Sequence, residues 1–291
     1  MRTENVTLAR YTTIGTGGPA RWFARPETVD ELHEHLRWAH DHDVGVEVVG
    51  LGSNLLVDDG GVDALVLKLA GDLAAARVEG ETLVMGGGAA NAVGLHRARR
   101  GGLGGFEFAS AIPGTAGGGV RMNAGAYGRE WRDILVAADV VDATGARTVD
   151  ASALDLSYRH SGLLPGQVVA QVRFRLEPST PESVKARAAE LLAARKATQP
   201  TNKRTFGSVF KNPPAGPGAG RMIEACGLKG HRIGGAVVSP RHANFIENAD
   251  AATTADCIAV MAEARRRVNE QFGVELEHEV QFLGPLKLPP L

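Results

Sequence analysis

The sequence predicts an α+β fold in which a glycine-rich first half is followed by a smaller second part. Helical patterns of apolar residues occur along the chain together with short β-type runs. Of the 37 glycines, 14 lie between Gly86 and Gly128. Glycines clustered in this way, without a collagen or linker period, indicate backbone that approaches a ligand closely or adopts positive φ. At 291 residues the chain is long enough to form a well-buried core.

The composition argues against several classes of partner. Lys and Arg total 32 and Asp and Glu total 33, so the net charge of −1 provides no basic surface for nucleic acid or an anionic membrane. The first residues lack the apolar core of a signal peptide, and no run of about 18 apolar residues occurs, so we expect a cytoplasmic protein that does not span a membrane. Cys226 and Cys257 lack metal-ligand spacing, so we expect two buried, reduced thiols and no metal site.

The first half contains a turn of small residues between two β-type runs. A helix is predicted from Thr28, where TVDEL is typical of a capping box, and VEVV then leads into GLGSNLLV at residues 50–57. A strand, a small-residue turn and a second strand can bind an anion through consecutive backbone N–H groups, and a diphosphate is the natural occupant. No G-x-G-x-x-G opens a helix here, which disfavours a Rossmann fold. An ordinary Gly-Ser-Asn hairpin turn is the alternative.

A second glycine-rich stretch, FASAIPGTAGGG at residues 108–119, continues through VRMNAGAYG to residue 128. It lies about sixty residues beyond the first, and two such loops are suited to clasp one extended cofactor. Further on, β-type runs at residues 136–141 and 168–174 bracket a loop that contains Arg159. An arginine in such a loop is most often a solvated surface residue, so the local sequence alone assigns it no role.

The second half is separated from the first by a predicted helix. The proline pair in EPSTP ends a strand and places Pro181 at the first helical position, and we set the domain boundary between this pair and residue 200. Beyond it, FGSVFKNP sets Ser208 beside a lysine and an amide, although a serine by itself is mostly a surface or turn residue. His242, next to Asn244 and ahead of an apolar strand, is expected to be a structural hydrogen-bonding group.

The last part of the chain predicts one helix and one strand. The helix is capped near Thr253 or Thr254, and its arginines at 265–267 are predicted to face solvent. The strand VELEHEVQF at residues 274–282 alternates with period two, which puts its apolar residues on one face. Alternation alone does not choose among the glutamates on the other face, which are Glu275, Glu277 and Glu279.

Several motifs together resemble the UDP-N-acetylenolpyruvoylglucosamine reductase family. Gly-x-Gly-Ser-Asn at 50–54, Ile-Pro-Gly-Thr-x-Gly-Gly at 112–118 and Asn-x-Gly-Ala-Tyr-Gly at 123–128 resemble its flavin-binding half. The serine motif, the region 219–246 and a Glu-x-Glu-Val ending follow in the same order, so the resemblance spans essentially the whole chain. The absence of long insertions resembles the shorter branch of the family, which lacks an extra substrate-covering loop.

The resemblance implies a vanillyl-alcohol-oxidase (PCMH-type) FAD-binding domain of two α+β subdomains at residues 1–178. A linker helix at 179–199 and a smaller α+β substrate-binding domain at 200–291 would follow. Residues 50–57 contain no histidine to which a flavin could be attached, so FAD is expected to be bound non-covalently. Many family members carry a lysine where Thr198 stands, so a phosphate contact at this point would need another residue, for which Lys196 and Lys203 are the candidates.

The resemblance also implies the residues of the site. Three groups are implied to be catalytic: Arg159 of the Tyr-Arg-x-Ser motif, Ser208 and Glu279. The implied FAD-binding residues are Gly50, Gly52, Ser53, Asn54, Leu55, Pro113, Gly114, Thr115, Gly117, Gly118, Asn123 and Gly125. The implied substrate-binding residues are Tyr127, Lys211, Asn212 and Lys229.

The implied activity is that of a UDP-N-acetylmuramate dehydrogenase in bacterial peptidoglycan precursor synthesis. NADPH reduces FAD and leaves, and the enolpyruvyl group of UDP-N-acetylglucosamine enolpyruvate then takes hydride. Arg159 as a cation and Glu279 in its protonated form would stabilise charge at the substrate carboxylate, and Ser208 would donate the proton. We expect the nucleotide sugar as partner and a monomeric chain. The alternatives are an FAD-dependent oxidase of a sugar or hydroxy acid, and a non-catalytic protein that binds flavin or a nucleotide sugar.

Overall fold

Each of the two structural units of the chain is assembled from separate stretches of sequence. The computed structural model describes residues 1–291. The first unit comprises Met1–Glu4, Trp22–Leu51 and Ala64–Arg195, and the second comprises Asn5–Arg21, Gly52–Asp63 and Lys196–Leu291. The linear division at residues 178 and 199 stays a prediction, and it does not describe the two early segments that belong to the second unit.

The secondary structure combines helices with many short strands. The α-helices are α1 (Val29–Asp41), α2 (Asn91–Arg100), α3 (Ala116–Arg121), α4 (Pro181–Thr198), α5 (Ala219–Ala225) and α6 (Thr254–Phe272). The strands are β1 (Thr3–Thr7), β2 (Pro19–Ala24), β3 (Gly45–Val48), β4 (Leu55–Val57), β5 (Val62–Leu67), β6 (Ala76–Glu79), β7 (Thr82–Gly86), β8 (Leu103–Gly104), β9 (Gly125–Ala126), β10 (Arg129–Glu130), β11 (Leu135–Asp142), β12 (Gly145–Asp150), β13 (Val168–Arg175), β14 (Glu177–Pro178), β15 (Thr205–Ser208), β16 (Arg232–Ile233), β17 (Ala236–Val238), β18 (Phe245–Asn248) and β19 (Gln281–Leu283). No helix combines the length and the apolar character that crossing a membrane requires.

The first unit contains an antiparallel sheet in the order β12-β11-β13-β7-β6. Its core includes a group of rings, in which the fully buried Trp131 lies 5.7 Å from Phe106 and 5.8 Å from Phe174 between centroids. These are edge-to-face contacts, the arrangement that aromatic quadrupoles favour. Strands β3 and β5 pair in parallel. The turn that contains Gly50 and Gly52 follows β3, and the run Gly86-Gly87-Gly88 begins at the end of β7. The strands therefore fix where these two glycine-containing segments begin.

The second unit contains the antiparallel sheet β15-β18-β17-β16. Its core contains the buried Phe206 and Phe210 from the serine motif together with Cys257 and Met261 from α6. A separate parallel pair joins β19 to β4, with Gln281 opposite Leu55. This pairing brings the end of the chain beside the turn at residues 52–54.

Three helix starts agree with the sequence. Thr28 caps α1 by accepting a hydrogen bond from Glu31 N at 3.2 Å, and Thr253 forms a capping box with Asp256 at the start of α6. Pro181 is the first residue of α4. These starts were predictable because capping depends on residues within one helical turn. The hairpin alternative for residues 50–57 is wrong, because β3 pairs with β5 and β4 pairs with β19.

Three other expectations need correction. Only Gln281–Leu283 of the predicted final strand is regular, because the segment before it pairs with a different partner. Arg265 does not face solvent: it is 9% exposed and donates to Leu276 O at 3.1 Å and Pro289 O at 3.0 Å. The length of this side chain lets its guanidinium reach carbonyls in two separate segments beyond α6. Cys226 is half-buried, whereas Cys257 is buried as expected, and both are free thiols.

Candidate active site

In the first unit, the loop at residues 113–118 is held by backbone hydrogen bonds to the chain after β7. Asn91 N donates to Gly114 O at 3.0 Å, and Gly117 N donates to Gly87 O at 2.8 Å. A Cβ atom on Gly117 would lie 2.9 Å from Gly87 O, closer than real Cβ contacts. The two loops therefore touch backbone to backbone, which requires glycine. Pro113 and Gly118 are exposed on this loop.

Gly50 meets the same loop directly. A Cβ atom at Gly50 would lie 2.7 Å from the Oγ1 atom of Thr115, and Thr115 caps α3 by accepting from Gly118 N at 3.4 Å. Lys68 Nζ donates to Gly50 O at 2.7 Å. Burial and the nearby Arg25 lower the pKa of Lys68. Lys68 was not predicted, because a lysine at the end of an apolar β-type run gives no local sign of what its ammonium contacts.

Asn123 joins the second glycine-rich stretch to the loop that carries Arg159. Its side chain is fully buried and its φ of +37° lies in the left-handed region. Its Nδ2 donates to Ser157 O and to Glu130 Oε2, both at 3.0 Å, and its Oδ1 accepts from Arg132 N at 3.0 Å. The amide is thus engaged with protein partners. The predicted contact between Asn123 and a cofactor therefore requires its backbone.

Arg159 is half-buried and has a φ of +56°, uncommon for a residue with a side chain. Its Nη2 donates to Gly125 O at 3.2 Å, and its Cζ lies 4.8 Å from the centre of the Tyr158 ring. Ser161 Oγ donates to Arg121 O at 2.9 Å and anchors the same loop to the end of α3. The structure therefore brings Arg159 together with Gly125, one of the predicted cofactor-binding residues.

Tyr127 lies on the same stretch as Gly125. Its side chain is 46% exposed and its hydroxyl donates to Leu191 O at 3.1 Å. Burial lowers the pKa of Arg195, and the electrostatic influence of Tyr127 opposes that shift. The predicted substrate contact at Tyr127 therefore lies near an additional cation.

In the second unit, hydrogen bonds join the residue after Ser208, Glu279 and the turn at residues 52–54. Glu279 N donates to the carbonyl oxygen of Val209, the residue after Ser208, at 2.8 Å. Asn54 Nδ2 donates to Glu279 O at 3.3 Å, and Gln281 N donates to Asn54 O at 3.0 Å. Two predicted catalytic residues and one predicted cofactor-binding residue are thereby neighbours, although Asn54 and Glu279 are 225 positions apart in sequence.

Two glycines allow the turn and the serine strand to approach each other. Gly52 has a φ of +68°, and Thr13 N donates to its carbonyl oxygen at 3.1 Å. Gly207 has a φ of +83°, and a Cβ atom there would lie 3.1 Å from Ser53 O. Leu55 then begins β4. Both glycines occupy the left-handed region that other residues rarely adopt.

The predicted substrate-binding residues of this unit have protein partners. Lys211 pairs with Glu277 at 2.5 Å, and Lys229 pairs with Glu224 at 2.6 Å. Asn212 Oδ1 accepts from the first amide of α5 at 3.0 Å. An anionic ligand at either lysine would have to share it with a carboxylate. Contacts of Lys211, Asn212 and Lys229 with substrate stay a prediction.

Known proteins match both halves of the chain. Residues 20–150 match a family model described as FAD binding domain, and residues 199–283 match UDP-N-acetylenolpyruvoylglucosamine reductase, C-terminal domain. The UDP-N-acetylenolpyruvoylglucosamine reductase of Anaeromyxobacter dehalogenans strain 2CP-C is 45% identical over 287 residues, which are 99% of this chain and 86% of that protein. The chain belongs to the UDP-N-acetylenolpyruvoylglucosamine reductase family.

Other members agree with this assignment. The reductase of Novosphingobium aromaticivorans is 43% identical over 97% of this chain and 95% of its own length. The crystal structure of the reductase (MurB) from Thermus caldophilus superimposes with a TM-score of 0.83 at 37% identity, covering 97% of this chain and 98% of that one. The predicted fold class, an FAD-binding domain of the PCMH type followed by the C-terminal domain of this reductase family, is confirmed.

Proposed function

We propose that this reductase-family chain uses FAD and NADPH to reduce UDP-N-acetylglucosamine enolpyruvate to UDP-N-acetylmuramate, a step in peptidoglycan precursor synthesis. The observation that carries the proposal is the match at 45% identity across 99% of the chain to a reductase of that name. The hydrogen bond of 2.8 Å between Glu279 N and Val209 O supports it, because this bond joins the backbone of Glu279 to that of the residue after Ser208. We also propose that the chain works as a monomer in the cytoplasm.

The loops of the first unit fit the diphosphate of FAD. Gly117 lies close to the backbone of Gly87, and Gly50 lies close to the Thr115 hydroxyl. The Lys68 ammonium donates to Gly50 O, which puts a cation beside these glycines. Small residues with accessible N–H groups and a nearby cation are the groups that bind phosphate in proteins. Residues 50–57 contain no histidine to which flavin could be attached, so the proposed binding is non-covalent.

The protein groups have separate tasks in the reaction. Bound FAD would supply the hydride chemistry that links NADPH to the terminal carbon of the enolpyruvyl group. The π electrons of the substrate then move onto the carbon that bears the ether oxygen and into its carboxylate. Arg159, a fixed cation, and Glu279 as a protonated carboxyl group that donates a hydrogen bond stabilise the charge at that carboxylate. Ser208 donates its Oγ proton to the carbon next to the ether oxygen and regains a proton from water.

The positions of the reactive groups are set by backbone. Arg159 is restrained by its bond to Gly125 O, so its guanidinium loses little freedom when it meets substrate. Ser208 lies at the end of β15, opposite Phe245 of β18, and Glu279 is anchored to the next residue of the serine strand. A serine nucleophile activated by a histidine and an aspartate is not proposed, because the proposed role is donation of a proton. Tyr127, Lys211, Asn212 and Lys229 are proposed contacts for the substrate diphosphate.

The test is an anaerobic titration of the purified protein. A flavin spectrum that bleaches with NADPH and recovers when UDP-N-acetylglucosamine enolpyruvate is added supports the proposal. A colourless protein that FAD cannot load contradicts it. Oxygen consumption with an alcohol substrate and no NADPH would instead indicate an oxidase. Ligand binding without turnover would indicate a non-catalytic relative.

The role of Ser208 is tested by its replacement with alanine. We expect Ser208→Ala to leave flavin reduction by NADPH near normal and to slow reoxidation by substrate about 10²- to 10⁴-fold, the usual contribution of a proton donor. Ser183→Ala changes an exposed serine on α4 and should alter neither half-reaction. Equal losses in both half-reactions of Ser208→Ala would exclude proton donation as its task.

A further inference from the structure

In the second unit, the buried side-chain amide of Asn244 is hydrogen-bonded to the backbone that follows Ser208. This backbone also contacts the segment that carries Glu279. Asn244 is 5% exposed, and its Nδ2 donates to Phe210 O at 2.8 Å while its Oδ1 accepts from Phe210 N at 3.0 Å. Phe210 is itself 1% exposed, so water cannot replace these bonds easily. One side chain therefore satisfies both backbone groups of the second residue after Ser208.

The position of this amide explains how the serine strand continues beyond its sheet. The pairing of β15 with β18 ends at Ser208 opposite Phe245, after an irregularity in register. Val209 N then donates to Asn244 O at 2.9 Å, and the Asn244 side chain serves the next residue. The side-chain amide of Asn244 thus makes the two hydrogen bonds to Phe210 that a further backbone residue of the neighbouring strand would otherwise make. It extends the hydrogen-bonded edge past the point where the ladder stops.

The opposite edge of the same short segment faces the end of the chain. Val209 O accepts from Glu279 N at 2.8 Å, and Lys211 N donates to Glu277 O at 2.9 Å. Phe210 lies between these two bonds, and it forms a bridge with His278. The segment is therefore held between Asn244 on one edge and the glutamate segment on the other. Movement on the Asn244 edge would shift Ser208 relative to Glu279.

Asn244 is itself held in place. Its backbone N–H donates to His242 Nδ1 at 3.2 Å, and the His242 ring lies 5.0 Å from that of Phe245 in an edge-to-face contact. Burial and the nearby Lys229 lower the pKa of His242, while Glu224 opposes that shift. The neutral ring can accept through Nδ1. The structure thus accounts for His242 as a hydrogen-bonding group.

We infer that Asn244 is a positioning residue that sets the Ser208 hydroxyl relative to Glu279 and thereby controls proton delivery to the substrate carbon. This inference rests on the roles proposed above for Ser208 and Glu279. Asn244 does not touch the reacting atoms in this scheme, and its effect passes through the backbone of Phe210 and Val209. Substitution of Asn244 should therefore slow reoxidation of the flavin by substrate, which uses the serine proton. It should spare reduction of the flavin by NADPH, which does not use that proton.

Asn244→Asp is the sharpest perturbation. An ionised carboxylate still accepts from Phe210 N, but it places an oxygen against Phe210 O and cannot donate to it. A protonated carboxyl group restores both bonds, since it has one donor and one acceptor. Burial beside a carbonyl oxygen raises the pKa of the introduced acid. The defect of this variant, measured against the unaltered protein at each pH, should therefore shrink as the pH falls.

The experiment measures the two half-reactions of the FAD-loaded enzyme separately by anaerobic rapid mixing. We expect Asn244→Asp to bleach with NADPH within about twofold of the unaltered rate and to reoxidise with the enolpyruvyl substrate about 10- to 100-fold more slowly, the scale for displacement of a reacting group by about 1 Å. Flavin fluorescence should report unchanged FAD affinity. Combined with Ser208→Ala, the substitution should add little, because the two residues act on one step.

Asn248→Asp is the matched control. Asn248 Nδ2 donates to Ile14 O at 3.0 Å and its Oδ1 accepts from Ala252 N at 2.9 Å, so the same change removes a similar donated bond and leaves a similar accepted bond, at a side chain that does not contact Phe210. It should lower thermal stability and leave the ratio of the two half-reaction rates unchanged. If Asn244→Asp does not fold, Asn244→Ser undergoes the same comparison, since its hydroxyl is too short to hold both groups of Phe210.

Two kinds of failure can be told apart. If Ser208→Ala does not slow reoxidation by substrate, the proposed role of the serine is wrong. If Ser208→Ala does slow it but Asn244→Asp behaves as Asn248→Asp does, or slows both half-reactions equally, the positioning role of Asn244 is overturned. A selective loss that recovers at lower pH supports it.

Discussion

Replacing Asn123 with glycine and with alanine separates the contribution of its amide from that of its backbone conformation. The amide makes three hydrogen bonds, to Ser157 O, Glu130 Oε2 and Arg132 N, each at 3.0 Å. At about 1 kcal/mol net for each bond, both substitutions should lower the free energy of unfolding by about 3 kcal/mol. The side chain is fully buried, which limits replacement of these bonds by water.

The two variants differ because φ at Asn123 is +37°. Alanine in the left-handed region is disfavoured by about 1–2 kcal/mol, whereas asparagine and glycine tolerate it. Glycine loses more conformational freedom on folding, by roughly 0.5–1 kcal/mol relative to alanine. The balance predicts that Asn123→Ala is less stable than Asn123→Gly by about 1 kcal/mol. This is the opposite of the order expected in an ordinary helix or strand.

The assay is urea-induced unfolding of each FAD-loaded variant, together with steady-state kinetics. Asn123 Nδ2 holds the carbonyl oxygen of Ser157, two residues before Arg159, so both variants should also raise the KM for the enolpyruvyl substrate. A half-buried asparagine on α6 provides the control, and Asn269→Gly should leave KM unchanged. Equal stability of both Asn123 variants and the unaltered protein would refute this assignment of the amide. A glycine variant less stable than the alanine variant would refute the backbone argument.

Three further predictions concern charged residues. Lys68→Met should weaken FAD binding about 5- to 20-fold, because it removes the bond of 2.7 Å to the carbonyl of the first glycine loop, and flavin fluorescence measures this. Arg265→Met should lower the free energy of unfolding by about 2 kcal/mol, whereas Arg267→Met, on an exposed ion pair, should change it by less than about 0.5 kcal/mol. Burial alone would raise the pKa of Asp139, but hydrogen bonds to Arg173 and other groups outweigh it and lower that pKa. The stabilisation that the Asp139 carboxylate contributes is present above about pH 4 and is lost as pH falls through its lowered pKa. Asp139→Asn should therefore make the free energy of unfolding depend less on pH in this acid range, which acid unfolding curves measure.

Each of these predictions has a clear contrary outcome. Unchanged FAD affinity in Lys68→Met would show that the loop does not depend on the ammonium. Equal destabilisation by the two arginine substitutions would show that the burial of Arg265 does not matter. An acid unfolding curve for Asp139→Asn with the original slope would mean that other carboxyl groups account for the loss of stability at low pH.

Local features of the sequence were enough to predict several elements. Thr28, Pro181 and Thr253 mark helix starts because a cap is formed by groups within one turn. Gly102, Gly105 and Gly128 have the positive φ that the clustering of glycines between Gly86 and Gly128 indicated. The order of the motifs also indicated the family before the fold was known, and the match across the chain confirms it.

Contacts between distant residues could not be predicted in this way. Asn244 appeared in the sequence only as the neighbour of His242, and its bonds to Phe210 span 34 positions. Periodicity gave Glu275, Glu277 and Glu279 the same face, yet only the hydrogen bond from Glu279 N to the serine strand shows which one adjoins Ser208. Periodicity describes which side of a strand a residue occupies and contains no information about the partner of that strand.

The sequence by itself determined the helix caps, the glycine turns and the set of motifs that identify the family, because these depend on neighbouring residues and on residue type. The tertiary structure alone decided that the amide of Asn123 turns inward to hold the Arg159 loop, and that Arg265 is buried. It also decided that Asn244 occupies the place of a strand residue beside Ser208. The physical reason is that a buried polar group must find its partner in space, and that partner is selected by the packing of the whole unit.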